Sequence, residues 1–402
     1  MTRLQHLLNL EAFERPARAK LPRCIFEFIQ RGSEDETSAR ENRAAFERVP
    51  FIPLVLVDTS GRTASAPLLG QTWAAPFGIA PMGAMSLAAR DADRAMARAA
   101  RKANIPFVLS GAALTSLEAV IREYDQAWFQ AYLTAEPDRD GKLLARVEAA
   151  GYRTLVVTAD VPVTSNREAD IRNGYTSPLR PSVRLGMDGL RHPRWLFGTL
   201  LRTLLDAGMP HFENFGTDRV PMLARRGRRI HRRDRLGWEA LAEVRRRWPH
   251  RLILKGVLAA QDVARAKAIG VDAVVVSNHG GRQLDGAIAP IRALAALQGR
   301  AGGMPLLMDS GIRRGTDVIK ALALGASHVL VGRPFLYAAV VGGEAGVAHA
   351  ISLLKAEIER NMALLGCRTL ADVSARMVQA GGVAAIGVEE IRTGMNIARQ
   401  AG

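Results

Sequence analysis

The 402-residue chain has only two cysteines, Cys24 and Cys367, far apart in sequence. No disulfide framework and no cysteine-built metal centre can be drawn from them, no metal is expected, and a reducing compartment suits them. The first twenty residues, MTRLQHLLNLEAFERPARAK, lack a long apolar run and a small-residue cleavage site, so no signal peptide is expected. The longest stretch without a charge, residues 63–89, is interrupted by Pro67, Pro76 and Pro81. It therefore cannot form a membrane-spanning helix of about 20 apolar residues. No sequence repeat is present beyond an alternation of short apolar runs and helical patterns.

The composition is that of a large globular chain, 48% hydrophobic and 23% charged. Its formal charge is +16, and it is uneven: residues 180–235 hold 13 arginines against 5 acidic residues, a local +8. Such a segment suggests an anionic surface. No aromatic is interleaved with the basic run 224–235 (ARRGRRIHRRDR), so nucleic acid is disfavoured and an anionic membrane surface or acidic partner is preferred. The neighbouring stretch 191–214 sets Trp195, Leu196, Phe197, Leu200, Leu201, Leu204 and Leu205 among arginines. It reads as a basic amphipathic helix lying at a membrane interface, or as a lid helix packed on the protein itself.

Eight apolar runs start at residues 76, 105, 128, 154, 252, 273, 305 and 328. Each is short and mostly not alternating, as strands buried on both faces are. Helical patterns at 90–103, 142–150, 260–270 and 314–326 separate several of them. Eight such units predict a (β/α)8 TIM barrel spanning about 74–340 of a single domain. A helical extension (1–60) precedes it and a helical tail (340–402) follows. The interval 161–251 after the fourth strand is too long for one βα unit, so it holds an insertion, with its basic part at about 175–235.

Active sites of such barrels lie at the C-terminal strand ends, and polar residues collect there. The first strand leads into Pro81, Met82 and Gly83, and the second into Ser110. Gln130 and Tyr132 lie in the third, while Thr158 and Asp160 end the fourth, with Arg167 beyond. Lys255 ends the fifth; Ser277, His279 and Arg282 follow the sixth; Asp309, Gly311 and Arg313 the seventh; Gly332 and Arg333 the eighth. Any one of these alone reads as a loop cap or a solvated charge. All eight ends carrying such groups point to a site. DSGIRRGTD (309–317) with GRP (332–334) suggests a phosphate held by backbone, Arg313 and Arg333. His279 has Asp160 available to orient it, and a carboxylate there is expected to favour the imidazolium.

SNHGGRQLD (277–285), the strand ends, LPRCIFEFIQRGSEDE (21–36) and LLKAEIERNMALLGC (353–367) together resemble the FMN-dependent L-2-hydroxy acid oxidases and dehydrogenases. The resemblance covers nearly the whole chain and implies the same barrel fold and FMN as cofactor. It further implies that His279 takes the C2 proton and Asp160 stabilises the charged ring. Arg167 and Arg282 would hold the substrate carboxylate, and Tyr132 the substrate oxygen. Lys255 would lie at the N1–C2 carbonyl end of the flavin. Ser110, Gln130, Thr158, Ser277 and the backbone of Ala80, Pro81, Met82 and Gly83 would bind the ring, and Asp309, Gly311, Arg313, Gly332 and Arg333 the ribityl phosphate.

Three positions depart from the commonest pattern of that family. Phe28 replaces a tyrosine that touches the carboxylate, Ala112 replaces a tryptophan of short-chain oxidases, and Gly83 replaces an alanine of oxygen-using members. The expected substrate is therefore an aromatic or longer-chain L-2-hydroxy acid, with lactate also open. A quinone or other acceptor is expected for the electrons, in a homo-oligomer (a tetramer by resemblance). Its place would be the cytoplasm, peripheral on the inner face of the cell membrane. The alternatives are an oxygen-using oxidase releasing peroxide, and a non-catalytic barrel that binds membranes or polyanions.

Overall fold

The computed structural model describes residues 4–175, 182–216, 219–222 and 233–379. Eight parallel strands form its centre: β1 (Phe77–Ile79), β2 (Val108–Ser110), β3 (Trp128–Ala131), β4 (Thr154–Thr158), β5 (Arg251–Val257), β6 (Ala273–Val276), β7 (Leu306–Met308) and β8 (His328–Val331). They neighbour one another in chain order. A parallel bridge from Ile79 to Phe107 joins β1 to the start of β2 and closes the barrel. Nearly every strand residue is buried, because helices cover the outside and side chains fill the inside. The (β/α)8 architecture is the one expected.

The far end of the barrel is plugged by a hairpin of Ala66–Leu68 and Gln71–Trp73. Its buried Trp73 meets Trp128 edge-on at 6.3 Å. After β8 a helix runs Arg333–Leu365, broken at Gly343 (φ 58°), and packs on the helices Ala92–Ala103 and Gly315–Ala323. The outer ring of the barrel thus extends past residue 340 to Leu365. This helix is long and apolar enough to cross a membrane by composition, but it serves as a core helix against its neighbours.

Before the barrel, helices Glu14–Lys20, Arg23–Gln30 and Thr37–Glu47 lead to the barrel mouth. Asp285, in the loop after β6, accepts from the Ser38 and Thr37 amides at 2.8 and 3.1 Å, so it caps the last of these helices.

The insertion after β4 contains helix Val183–Leu190, then three contiguous helical pieces, Pro193–Trp195, Leu196–Leu201 and Arg202–Ala207, the middle one widened to a π-helix. The expected helix over 191–214 ends at Ala207: Gly208 takes φ 72° and Pro210 cannot continue the helix. His211 and Phe212 instead pair with Val220 and Pro221. Trp195 turns inward and donates its Nε1 to the Leu87 carbonyl at 2.7 Å. Phe197, Leu201 and Leu205 face solvent from the same helix, the last 76% exposed. Of the arginine run 224–235, only residues 233–235 lie within the described residues.

Candidate active site

The strand ends enclose a cleft of about 240 Å³, walled by Tyr132, Arg167, Lys255, His279, Arg282, Arg313 and Arg333 and by the backbone from Ala80 to Gly83. Phe28, Ala112, Asp309, Gly311 and Gly332 also line it. Five residues read from the sequence as site groups lie one layer deeper. Ser110 holds the Gln130 amide through Oε1 at 3.0 Å. Thr158 is buried in register with Lys255. Ser277 accepts from Lys255 Nζ at 2.8 Å and from the His279 amide at 3.0 Å, so it serves those two groups and does not line the cleft. Asp160 stands behind His279.

The loop after β6 places His279 in the left-handed region, φ 60°, which a non-glycine residue occupies only where its surroundings enforce it. They do so here. Gly280 donates to Ser310 Oγ at 2.9 Å. The Asn278 and Asn42 amides bond each other at 2.7 and 2.9 Å. Gln283 Nε2 donates to the Asp160 carbonyl at 3.1 Å. His279 Nδ1 meets the Asp160 carboxylate at 3.1 and 3.3 Å, leaving Nε2 as the ring nitrogen available to the cleft. Room for Asp160 comes from β5, which bulges at Gly256 (φ 101°); a Cβ there would lie 2.6 Å from that of Asp160.

Burial pushes the His279 imidazole below its ordinary value, and the pull of Asp160 the other way does not restore it. Asp160 favours the imidazolium, as expected, but desolvation outweighs it, and the resting ring is a neutral base. Burial also pushes the Asp160 carboxyl up, but the charges of His279 and Lys255 outweigh it and hold the group below the usual carboxylate range. Lys255, fully enclosed, is pushed down by burial yet raised overall by Asp309, 2.9 Å away, and by Asp160. It remains an ammonium.

Among the described residues no carboxylate lies within ion-pairing distance of Arg167, Arg282, Arg313 or Arg333. Arg282 Nη1 donates to the carbonyls of Phe28 (2.6 Å), Arg31 (2.9 Å) and Ile29 (3.2 Å). Arg333 Nε donates to Ile29 at 2.9 Å and its Nη2 to Gly280 at 3.0 Å. Burial lowers Arg313 to about 10, with Arg333 adding to the shift. A half-buried cluster of cations like this, gathered on one cleft, calls for anions. Gly311 lines the cleft, and a Cβ on it would overlap the Asn42 carbonyl, so packing against the helix Thr37–Glu47 also requires a glycine here.

Several contributors carried no signal in the sequence. Tyr175 stacks on Phe28 with centroids 4.1 Å apart. Phe215 approaches Tyr132 at 6.4 Å, and Arg233 lies over the Tyr132 ring at 4.1 Å. All three come from the insertion, whose distance along the chain hides their proximity.

Fold and site together define an enzyme of the barrel class, with a base–carboxylate pair and a cationic anion-binding corner at the strand ends. The chain belongs to the FMN-dependent dehydrogenase family, whose model matches residues 17–380. It is 40% identical over 382 residues to (S)-mandelate dehydrogenase of Pseudomonas putida, covering 94% of this chain and 95% of that one. An L-lactate oxidase of Nostoc sp. is 39% identical over 389 residues, covering 93% and 98%. Among solved structures, the monotopic membrane protein (S)-mandelate dehydrogenase superposes with a TM-score of 0.87 at 40% identity, covering 93% of this chain and all of that one.

FMN is the cofactor of this family, and the cleft fits it. Gln130 Nε2 is a buried donor with no partner while its Oε1 is fixed, as a donor awaiting a ring heteroatom would be. The unpaired guanidiniums suit a phosphate. A Cβ on Gly332 would come no nearer than 3.6 Å to its neighbours, so the protein itself leaves that backbone approachable.

Proposed function

We propose that the protein oxidises an (S)-2-hydroxy acid with a bulky or aromatic side chain to the 2-keto acid and passes the electrons to a quinone or similar acceptor. The observation that carries this reading is the shared cleft. His279 Nε2 is free while Nδ1 is held by Asp160, and Arg167, Arg282 and Tyr132 line the same walls. Arg167 and Arg282 bind the substrate carboxylate, and Tyr132 donates to the oxygen on C2. The neutral imidazole then takes the C2 proton, and Asp160 stabilises the resulting imidazolium. FMN, when bound, accepts the two electrons and the remaining proton as the C2–O bond becomes a carbonyl.

Arg313, Arg333 and the Gly332 backbone would hold the phosphate, Gln130 and the Ala80–Gly83 backbone the ring, and Lys255 its N1–C2 carbonyl edge. Ala112 and Phe28 leave an apolar volume where a larger side chain fits. The acceptor is reached at a membrane surface. Val183, Met187, Leu190, Phe197, Leu201 and Leu205 are exposed on the insertion among Arg184, Arg191, Arg194 and Arg202, the pairing of apolar face and basic rim that suits anionic lipid. The test is anaerobic mixing of the yellow holoenzyme with glycolate, L-lactate, a longer aliphatic acid and (S)-mandelate. Bleaching fastest with mandelate or the longer acid supports the reading; glycolate as the best substrate, or no bleaching by any of them, overturns it.

A further inference from the structure

Arg233 enters the active-site region from the far end of the insertion. Its Cζ stands 4.1 Å from the Tyr132 ring centroid and 5.9 Å from that of Phe215. The Nε is buried with no hydrogen-bond partner, and among the described residues no carboxylate lies within ion-pairing distance of the guanidinium. Burial accordingly lowers its pKa, opposed by the Tyr132 phenol. A desolvated cation held without a counter-charge needs a compensating interaction. Here the two aromatic faces supply it, and a ring that bears a guanidinium gains acidity at its hydroxyl.

Tyr132 lines the cleft, and Arg233, which stands over its ring, is not among the lining residues. The Tyr132 hydroxyl makes no hydrogen bond to a described residue, so it is available to the cleft. Burial raises the Tyr132 phenol above its ordinary value overall; of the charges acting on it, Arg233 opposes that rise most strongly, ahead of Asp160, which adds to it, and of Lys255 and Arg167, which oppose it.

We propose that Arg233 is a positioning residue for the reaction, fixing the Tyr132 ring and polarising its O–H toward the substrate oxygen as that oxygen changes from hydroxyl to carbonyl. The inference rests on the role given to Tyr132 above. It makes the insertion a contributor to the chemistry as well as a surface element, through one side chain that never touches substrate.

The test is a double-mutant cycle on the FMN-loaded protein, with flavin bleaching followed in single-turnover mixing over a range of acid concentrations. Arg233→Met is expected to slow the limiting bleaching rate by about tenfold and to shift the half-saturating concentration by less than about twofold. Arg233→Lys keeps a cation at the ring and should recover most of that rate. In a Tyr132→Phe background, Arg233→Met should add less than about twofold, because the hydroxyl it acts on is gone. The proposal is overturned if Arg233→Met slows both backgrounds equally, if the loss appears only in half-saturation, or if Arg233→Lys behaves like Arg233→Met. Should Arg233→Met fail to fold, Arg233→Gln, which also removes the cation, in both backgrounds decides: coupling with Tyr132 supports the inference and additivity sinks it. If wild type is not bleached by any 2-hydroxy acid, the reading of the reaction fails instead.

Discussion

The loop after β6 and the insertion after β4 meet beside the same cleft and are built on opposite rules. In the loop, side chains and amides are bound to fixed partners. Asn278 is paired to Asn42, Asp285 caps a helix, Ser277 serves Lys255, and His279 is held in a backbone conformation it would not choose alone. The insertion is tied to the rest of the chain at scattered points, among them the Trp195 indole, Asp188 on the Cys24 amide at 3.2 Å, Asn214 bridging Leu117 and Thr115 at 2.9 Å, and Arg146 on the Glu213 and Gly216 carbonyls. It leaves a row of large apolar side chains in solvent. Proton transfer demands atoms fixed to within fractions of an ångström, whereas a lipid surface demands only area and charge.

The comparison breaks first at His279. His279→Gln should retain FMN but lower the bleaching rate by about 10²–10⁴-fold, read in anaerobic single-turnover mixing; a rate near wild type would remove the loop's claim to the chemistry. Arg282→Lys should come next. Lysine loses both the fork that suits a carboxylate and the bonds to three carbonyls, so half-saturation should rise on the order of tenfold or more, measured in steady-state turnover.

The acid limb of kcat/KM sharpens the same point by its direction. His279 must be unprotonated to act, and its pKa lies below 6.5, so activity should persist as pH falls through that value. Asp160→Asn removes the carboxylate that raises the imidazole, so the limb should move still lower while the rate at neutral pH drops; a limb that moves upward would refute the electrostatic account. Ala112→Trp should depress turnover of a bulky acid about tenfold more than that of L-lactate, since Ala112 lines the cleft beside Gly83. On the insertion side, Leu201→Glu with Leu205→Glu should weaken sedimentation with anionic vesicles several-fold and change turnover with a soluble dye by less than about twofold. A large loss of dye turnover would show the two regions to be less separate than their contacts suggest.

Much of the barrel is legible in the sequence because buried parallel strands must be apolar throughout and their ends must be polar to do chemistry. His279, Arg282, Asp160 and Lys255 could be located on that basis alone. What escaped depends on distance along the chain. The Asn42–Asn278 pair, the carbonyls that bind Arg282, and Arg233 over Tyr132 join residues about a hundred or more positions apart, and no local pattern encodes them. The direction of the His279 shift escaped for another reason: a carboxylate neighbour can be read from sequence, but the depth of burial that outweighs it cannot. The stretch 191–214 outruns its helix by about two turns, because the stop, Gly208 with Pro210, lies inside an otherwise amphipathic pattern.

The last carbonyls of helix Arg23–Gln30 are claimed by Arg282 and Arg333, 254 and 304 residues downstream. During synthesis on a ribosome this helix emerges early and waits through nearly the whole of translation before the side chains that fix it exist. Domains generally fold from the N-terminus as they emerge, and contacts of such sequence separation are slow to close. The end of helix Arg23–Gln30 therefore cannot receive these bonds until the chain has been made through Arg333, so the wall of the cleft that Phe28 and Ile29 supply is completed by residues from the chain's far end.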